Sequence, residues 1–576
     1  MRQRLALSTA ALCLFAGPLL AQATQELPEI ATGRAEAGAV TATGFMVVAA
    51  HPLAAEAGQR VLAAGGTAAD AAVAVQAMLT LVEPQSSGLG GGGFALHWDA
   101  ATGELTSYDA RETAPLAAGP DYWLDAEGAP LGFWEAAVGG RSVGVPGTPM
   151  LMEVLHGRHG RLPWPELLAP AIDLAEAGFA VSPRLAQSIA AARDLDRFEP
   201  TRGYFFDASG APLAEGSLLR NPELARSLRL MAEQGAAPFY TGPIARDIVA
   251  TVAAADPPGI LTIEDMAAYR VIERPPVCID YRAHRVCGMG PPSSGGLTVG
   301  QILGLLEGFE LAALGPGPEA THLMLEAARL AFADRALYMA DSDFVEMPEG
   351  LLNRAYLTER AALIDLGAAM AEALPGTPPW DEARPRAPDP APGRPGTTHF
   401  VIVDAEGNMV SATTTIEAGF GSRLMTGGFL LNNELTDFAR APEADGRPVA
   451  NRVEGGKRPR SSMAPTVVLR DGRPVILTGS PGGAAIIGYT AQSIVALLDW
   501  GLDPQAAVAL PHAVTFGGPV ILEDTPGAEE RARALEALGH EVILRDLTSG
   551  LHIIAVTEAG LTGGADPRRE GVALGD

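Results

Sequence analysis

The sequence predicts an α/β protein, and three stretches carry that prediction. From Thr398 an apolar strand pattern runs to Val403, turns over Ala405-Glu406-Gly407-Asn408 and returns as Met409–Thr415, the signature of a hairpin. Between residues 160 and 370, apolar side chains recur with helical period in Trp164–Ala177, Pro183–Arg193, Pro222–Gln234 and Glu319–Asp341. Further on, Val475–Gly479 reads as a strand that passes through Ser480-Pro481-Gly482-Gly483 directly into a helix, Ala484–Trp500. With 576 residues, 47% of them hydrophobic, the chain can bury a large core, and it carries no solenoid-type repeat.

Taken in order, the chain opens with Arg2 and Arg4, a short apolar run from Leu5 to Leu20, and Ala21-Gln22-Ala23. That is the pattern of a secretory signal peptide over residues 1–23, removed on export. The run is too short to span a membrane and no later segment is long enough, so the mature protein is expected in the periplasm or outside the cell. A net charge of −27 argues against nucleic acid and anionic membrane as partners. Cys13 leaves with the leader. Cys278 and Cys287 face each other across a two-residue turn at Arg282-Ala283, where a disulfide and a packed pair of thiols fit equally well.

Met46–His51 reads as a short strand, followed by a helix from about Leu53 and another from Ala68 to about Leu81. Gly88, Gly90 and Gly93 match the spacing of a dinucleotide-binding loop, but Phe94–Trp98 alternates like a strand and no helix opens there. These glycines are instead expected to let the backbone lie close to another element. Arg111, just after the strand that ends near Ala110, reads locally as an ordinary solvated or ion-paired charge. Gly140-Arg141-Ser142-Val143-Gly144 has the form of a nucleophile elbow, yet Pro146 and Gly147 stand where its helix should begin. Ser142 nonetheless supplies a competing serine-hydrolase reading. His156 and His159 are expected to be cations at a helix end, because no carboxylate or cysteine has metal-ligand spacing to them.

The proline-rich run Pro375–Pro395 is expected to be a mobile tether ending at Gly396. A hairpin centred near Glu406 and Gly407 puts Thr415 across from Thr397 or Thr398. A threonine hydroxyl needs a base beside it, and its own α-amine, with a pKa near ~8, serves once the chain is cut before it. From this stretch alone, a linker leading into an ordinary threonine-rich strand is the favoured reading. Gly482 and Gly483, at a helix N-terminus, suit an oxyanion or a simple tight turn.

Together, these stretches resemble the γ-glutamyltransferases (γ-glutamyltranspeptidases), within the N-terminal-nucleophile hydrolases, from about Met46 to the C-terminus. Its marks are Thr397-Thr398-His399, Gly427 to Phe438, Ser461-Ser462-Met463, Ser480-Pro481-Gly482-Gly483, Glu83 to Phe94 and Asp109-Ala110-Arg111-Glu112. The resemblance implies a four-layer αββα sandwich built jointly by two chains, a large one (24–396, with its tail at about 375–396) and a small one (397–576). They would arise by self-cleavage at Gly396–Thr397. It also implies that Thr397 is the nucleophile and its freed amine the base, that Thr415 bonds the nucleophile, and that Gly482 and Gly483 form the oxyanion hole. Arg111, Ser461 and Ser462 would hold the α-carboxylate of a γ-glutamyl donor such as glutathione, and Glu434 and Asp437 its α-ammonium. Water or an amino-acid amine would resolve the γ-glutamyl ester, with no metal or organic cofactor.

Two positions depart from the family pattern. Glu417 stands where well-studied members carry an asparagine. The segment between Asp437 and Ser461 is short and has no tyrosine, so the lid over the site is expected to be abbreviated. Besides the serine hydrolase, two other readings compete: a glutaryl- or cephalosporin-type acylase on the same fold, and an inactive exported γ-glutamyl- or glutamate-binding protein. Glutaryl lacks the ammonium that would pair with Glu434 and Asp437.

Overall fold

The computed structural model describes residues 37–380, 385–389 and 396–576. The leader over residues 1–23 therefore lies outside the described residues, as does part of the proline-rich run. Two seven-stranded sheets form the centre. One orders its strands as Val572–Gly575, Met46–Ala49, Thr397–Val403, Met409–Thr415, Gly92–Asp99, Glu104–Ala110 and Ile272–Arg274. The other runs Val40–Ala42, Gly560–Ala565, His552–Thr557, Arg473–Gly479, Thr466–Arg470, His284–Gly288 and Val277–Tyr281. Every pairing within them is antiparallel.

Strand alternation explains the layers. Val401 and Val403 point inward with Met46, Val48 and Leu96, and meet Val467, Leu477 and Ile554 from the opposite sheet. Phe400 and Ile402 point outward with Val410 and Ala412, against the helices Pro52–Ala63 and Ala68–Val82. On the other flank, Val468, Ile476 and Ile553 pack on the helices Gly295–Leu306, Pro318–Tyr338 and Ala485–Leu498. The result is helix, sheet, sheet, helix, the four-layer αββα sandwich, and both sheets contain strands from before and from after residue 396. Among the described residues, no helix is long and apolar enough to cross a membrane.

The expected helices form with small shifts at their ends: Trp164–Ala177, Pro183–Ala191, Pro222–Gln234 and Pro318–Tyr338. Cys278 pairs with Cys287 across the Arg282-Ala283 turn and the two are joined as a disulfide. The glycine run behaves as a close-approach surface. A Cβ on Gly90 would stand 2.0 Å from the Leu430 carbonyl oxygen, and one on Gly91 1.9 Å from that of Thr415.

Three expectations need correction. His159 is not a helix-end cation: burial lowers its pKa, its Nε2 lies 2.7 Å from the Tyr108 hydroxyl, and its ring stacks on His97. Ser142 is no nucleophile elbow: its buried hydroxyl donates to the Ala137 and Gly139 carbonyls at 2.7 and 3.1 Å within a short 3₁₀ turn. The tail is not a free tether throughout. Ala387 and Asp389 are buried, because a carboxylate and a strand-like backbone edge both find partners there.

Candidate active site

The Thr397–Val403 strand pairs with Met409–Thr415 in the register Thr397↔Thr415, so both side chains fall on the inner face at the same end of the sheet. Their hydroxyl oxygens are 3.4 Å apart. Thr415 also donates to the Gly396 carbonyl at 2.7 Å and accepts from the Glu417 amide at 2.8 Å. The Thr397 carbonyl accepts from the Arg569 guanidinium at 3.1 Å. Gly396 is pressed against the next loop, where a Cβ would come within 2.0 Å of the Glu417 carbonyl oxygen. Only glycine fits between that loop and the Thr397–Val403 strand.

Opposite the threonines, the strand Arg473–Gly479 runs into the helix Ala485–Leu498. Gly482 and Gly483 have φ of +132° and +58°, in the region that favours glycine. The first bonds of the helix run from Ala485 to the Gly482 carbonyl and from Ile486 to the Gly483 carbonyl. The Gly482 and Gly483 amides therefore precede the ladder, at the positive end of the helix.

The third wall comes from loops that glycine and asparagine contacts hold together. Arg111 follows directly on the strand Glu104–Ala110. Glu434 and Asp437 sit on a 3₁₀ turn whose entry is set by Asn432, which bonds the Gly90 and Gly144 backbones and accepts from the Glu434 amide. Asn433 donates to the Glu417 carboxylate at 2.7 Å. Ser461 is clamped by Ser294, whose amide and hydroxyl both donate to its carbonyl.

One small cavity is lined by Arg111, Thr397, Thr415, Glu417, Glu434, Asp437, Ser461, Ser462 and Gly483, and its free space is about 20 Å³, roughly one water. Gly482 and Gly396 flank it. The charges differ from the expected arrangement, in which a cation and two anions stand apart to receive a zwitterion. Arg111 is ion-paired with both Glu434 and Asp437, and it donates to the Pro459 and Arg460 carbonyls at 3.1 and 3.2 Å. A buried guanidinium and buried carboxylates satisfy one another when nothing else does.

Sequence reasoning missed two charged neighbours. Glu112 is fully buried 3.9 Å from Arg111, and burial pushes its carboxyl up to about 8 against the pull of that guanidinium. Burial likewise holds Glu434 well above the usual carboxylate range. Arg335 donates to the Ser462 hydroxyl at 2.8 Å, which leaves the serine's own proton free to turn toward the cavity. Glu112 stands in the Asp109–Glu112 stretch that marks the resemblance but is given no role by it, and Arg335 has no local motif. Elsewhere, His322, Glu326 and His540 converge, but the imidazole nitrogens bond each other at 2.7 Å and Glu326 accepts from Arg329 and Met370. The other nitrogen of His322 lies 2.7 Å from the Asp365 carbonyl, so these groups are engaged with protein partners.

The family model described as gamma-glutamyltranspeptidase matches residues 54–576. The chain belongs to that family. It is 37% identical over 545 residues to a glutathione hydrolase proenzyme of Bacillus subtilis, covering 92% of this chain and 91% of the relative. It is also 37% identical over 562 residues to an acylase ACY 1 proenzyme of a Pseudomonas strain, covering 95% and 96%. Among solved structures, cephalosporin acylase from Bacillus halodurans superposes with a TM-score of 0.83 at 30% identity, over 96% of this chain and 98% of that one. This family member thus shares fold and chain length with both hydrolases of glutathione and acylases.

Proposed function

We propose that this family member cuts itself between Gly396 and Thr397 into a large chain, 24–396, and a small chain, 397–576. The product is an exported γ-glutamyltransferase and hydrolase acting on glutathione and related γ-glutamyl amides. The Thr397–Thr415 pair is the observation that carries the reading. In the uncut chain the Thr397 hydroxyl attacks the Gly396 carbonyl carbon, the developing oxyanion is met by the Thr415 hydroxyl, and the proton passes to the departing Thr397 nitrogen. Water then hydrolyses the Gly396 ester, leaving a carboxylate on Gly396 and a free α-amine on Thr397.

In the cut enzyme that amine takes the proton of the Thr397 hydroxyl as it attacks the donor's γ-carbonyl. Gly482 and Gly483 amides receive the oxyanion, and collapse expels the donor's amine with the proton returned to it. Water or an amino-acid amine releases the γ-glutamyl group from Thr397. A donor carboxylate taken by Arg111, Ser461 and Ser462, and an ammonium taken by Glu434, Asp437 and Glu417, would replace the present pairing between Arg111 and its carboxylates.

The acylase reading is favoured by the cephalosporin acylase likeness. A glutaryl group would have nothing to offer the carboxylates around Arg111, and this supports the glutamyl reading. A denaturing gel beside assays with γ-glutamyl-p-nitroanilide and glutaryl-p-nitroanilide tests the proposal. Two bands collapsing to one in Thr397→Ala, with turnover of the glutamyl compound, are expected. Preferential turnover of the glutaryl compound would overturn it in favour of the acylase.

A further inference from the structure

Asp389 belongs to the segment before the proposed cut, yet its carboxylate is buried among residues that follow it. Arg460, itself 4% exposed, donates to that carboxylate at 2.9 Å and to the Asp389 carbonyl at 3.2 Å. The Asn451 side-chain amide donates to Asp389 at 3.1 Å and to the Asp437 carbonyl at 2.7 Å, while its oxygen accepts from the Arg460 amide. The Arg460 carbonyl in turn accepts from Arg111 at 3.2 Å. Asp389 is thus one bond removed, through two different residues, from both sides of the Arg111–Asp437 pair.

The backbone reinforces the side chain. The Asp389 amide donates to the Ala336 carbonyl at 2.8 Å, and the Ala387 amide to that of Pro448 at 3.0 Å. Ala387 forms a parallel bridge with Val449, at the foot of the small exposed hairpin Glu443–Pro448. Charge balance points the same way. Burial, and after it the nearby Arg460 guanidinium, disfavour the charge of Arg335, which bonds Ser462, while Asp389 favours it.

We propose that Asp389 is a positioning residue for donor binding, holding Arg460 and Asn451 and through them Arg111 and Asp437, and that the large chain stays docked up to this residue after the cut. This rests on the reading that Arg111 and Asp437 grip the donor.

Two measurements test it. In processed enzyme, Asp389→Ala should raise KM for γ-glutamyl-p-nitroanilide by about tenfold or more, as expected for loss of a buried charge-assisted bond, with kcat within about twofold. Asp389→Asn, which keeps the shape and part of the hydrogen bonding, should fall between, and it carries the comparison if the alanine variant does not process. An unchanged KM in a processed variant overturns the positioning role. Hydrogen exchange on the cut wild type reads the docking directly: slow exchange at Ala387 and Asp389 is expected, and complete exchange within seconds overturns it. If the wild type does not turn over γ-glutamyl compounds while these amides are protected, the donor reading fails and the docking stands.

Discussion

Thr415 donates its hydroxyl to the Gly396 carbonyl oxygen at 2.7 Å, so the residue that faces Thr397 also touches the peptide bond proposed to be cut. This single hydroxyl is placed to polarise the scissile carbonyl and to stabilise the charge that grows on it. Thr415→Val, which keeps the branched shape and loses the donor, should slow the appearance of the two chains on the order of a hundredfold, the usual cost of one oxyanion donor. Thr415→Ser should retain most of the rate. A time course of band intensities after expression checks both, and equal rates for valine and threonine would remove Thr415 from the cut.

Gly396→Ala should block or severely slow processing for a steric reason. The added Cβ would stand 2.0 Å from the Glu417 carbonyl oxygen and 2.6 Å from the Ala418 carbonyl carbon, both backbone atoms that cannot swing aside. The scissile carbonyl must then move off Thr415. An intact chain on the gel, with the Thr415 variants as reference, is the expected result. Cleavage at the parental rate would mean the loop 417–419 yields freely.

Ser142→Ala separates the threonine reading from the serine-hydrolase one. Its hydroxyl donates to two backbone carbonyls inside the fold, so its loss should cost about 1 kcal/mol of stability and nothing in chemistry. Two bands, unchanged kcat/KM and a slightly lower Tm are expected. Abolished turnover with intact folding would restore Ser142 as a nucleophile.

How much of this was legible in the sequence follows from the reach of each interaction. The hairpin register was readable to within a residue because side-chain period and turn placement are local, and one slip would turn Phe400 and Ile402 from the helix layer into the sheet interface. The close-packed glycines were readable as a class, though not their partners. Arg111 by itself carried no signal. Its meaning comes from Glu434 and Asp437, more than 300 residues away, and only the family resemblance singled it out. Arg335 and Asp389 escaped for the same reason. Their buried partners lie on other elements, and no spacing along the chain records a salt bridge across it.

Arg111→Ala tests how the charge cluster is balanced. It leaves Glu112, Glu434 and Asp437 without their guanidinium, and an uncompensated buried charge costs about 3–5 kcal/mol. Arg111→Lys keeps a charge but cannot reach both carboxylates and the Pro459 carbonyl at once, so KM for the donor should rise by about tenfold or more with a smaller loss of Tm. Thermal melts and donor titrations of both variants check this. A lysine enzyme with parental KM would show that the fork geometry is dispensable.

The same cluster makes donor binding depend on pH, with a definite sign. Burial lifts the Glu112 carboxyl from 4.5 to about 8 and raises that of Glu434 well above its ordinary value, so near neutrality the folded site holds a proton that the unfolded chain would have released. For such a raised acid the stabilising contribution is complete below its unfolded value of 4.5 and is lost as pH climbs to about 8. A donor ammonium arriving beside these carboxylates favours their charged forms and expels that proton. Binding should therefore tighten as pH rises, with KM for γ-glutamyl-p-nitroanilide falling between about pH 6 and pH 8 by no more than tenfold per unit for one proton. Glu112→Gln should flatten that slope, because its side chain carries no titrating proton. Calorimetry in two buffers of different ionisation enthalpy should register proton release on donor binding to the parent and less to the variant. A KM that stays level across this range, in a parent that turns the donor over, would mean that the proton is not where Glu112 and Glu434 place it.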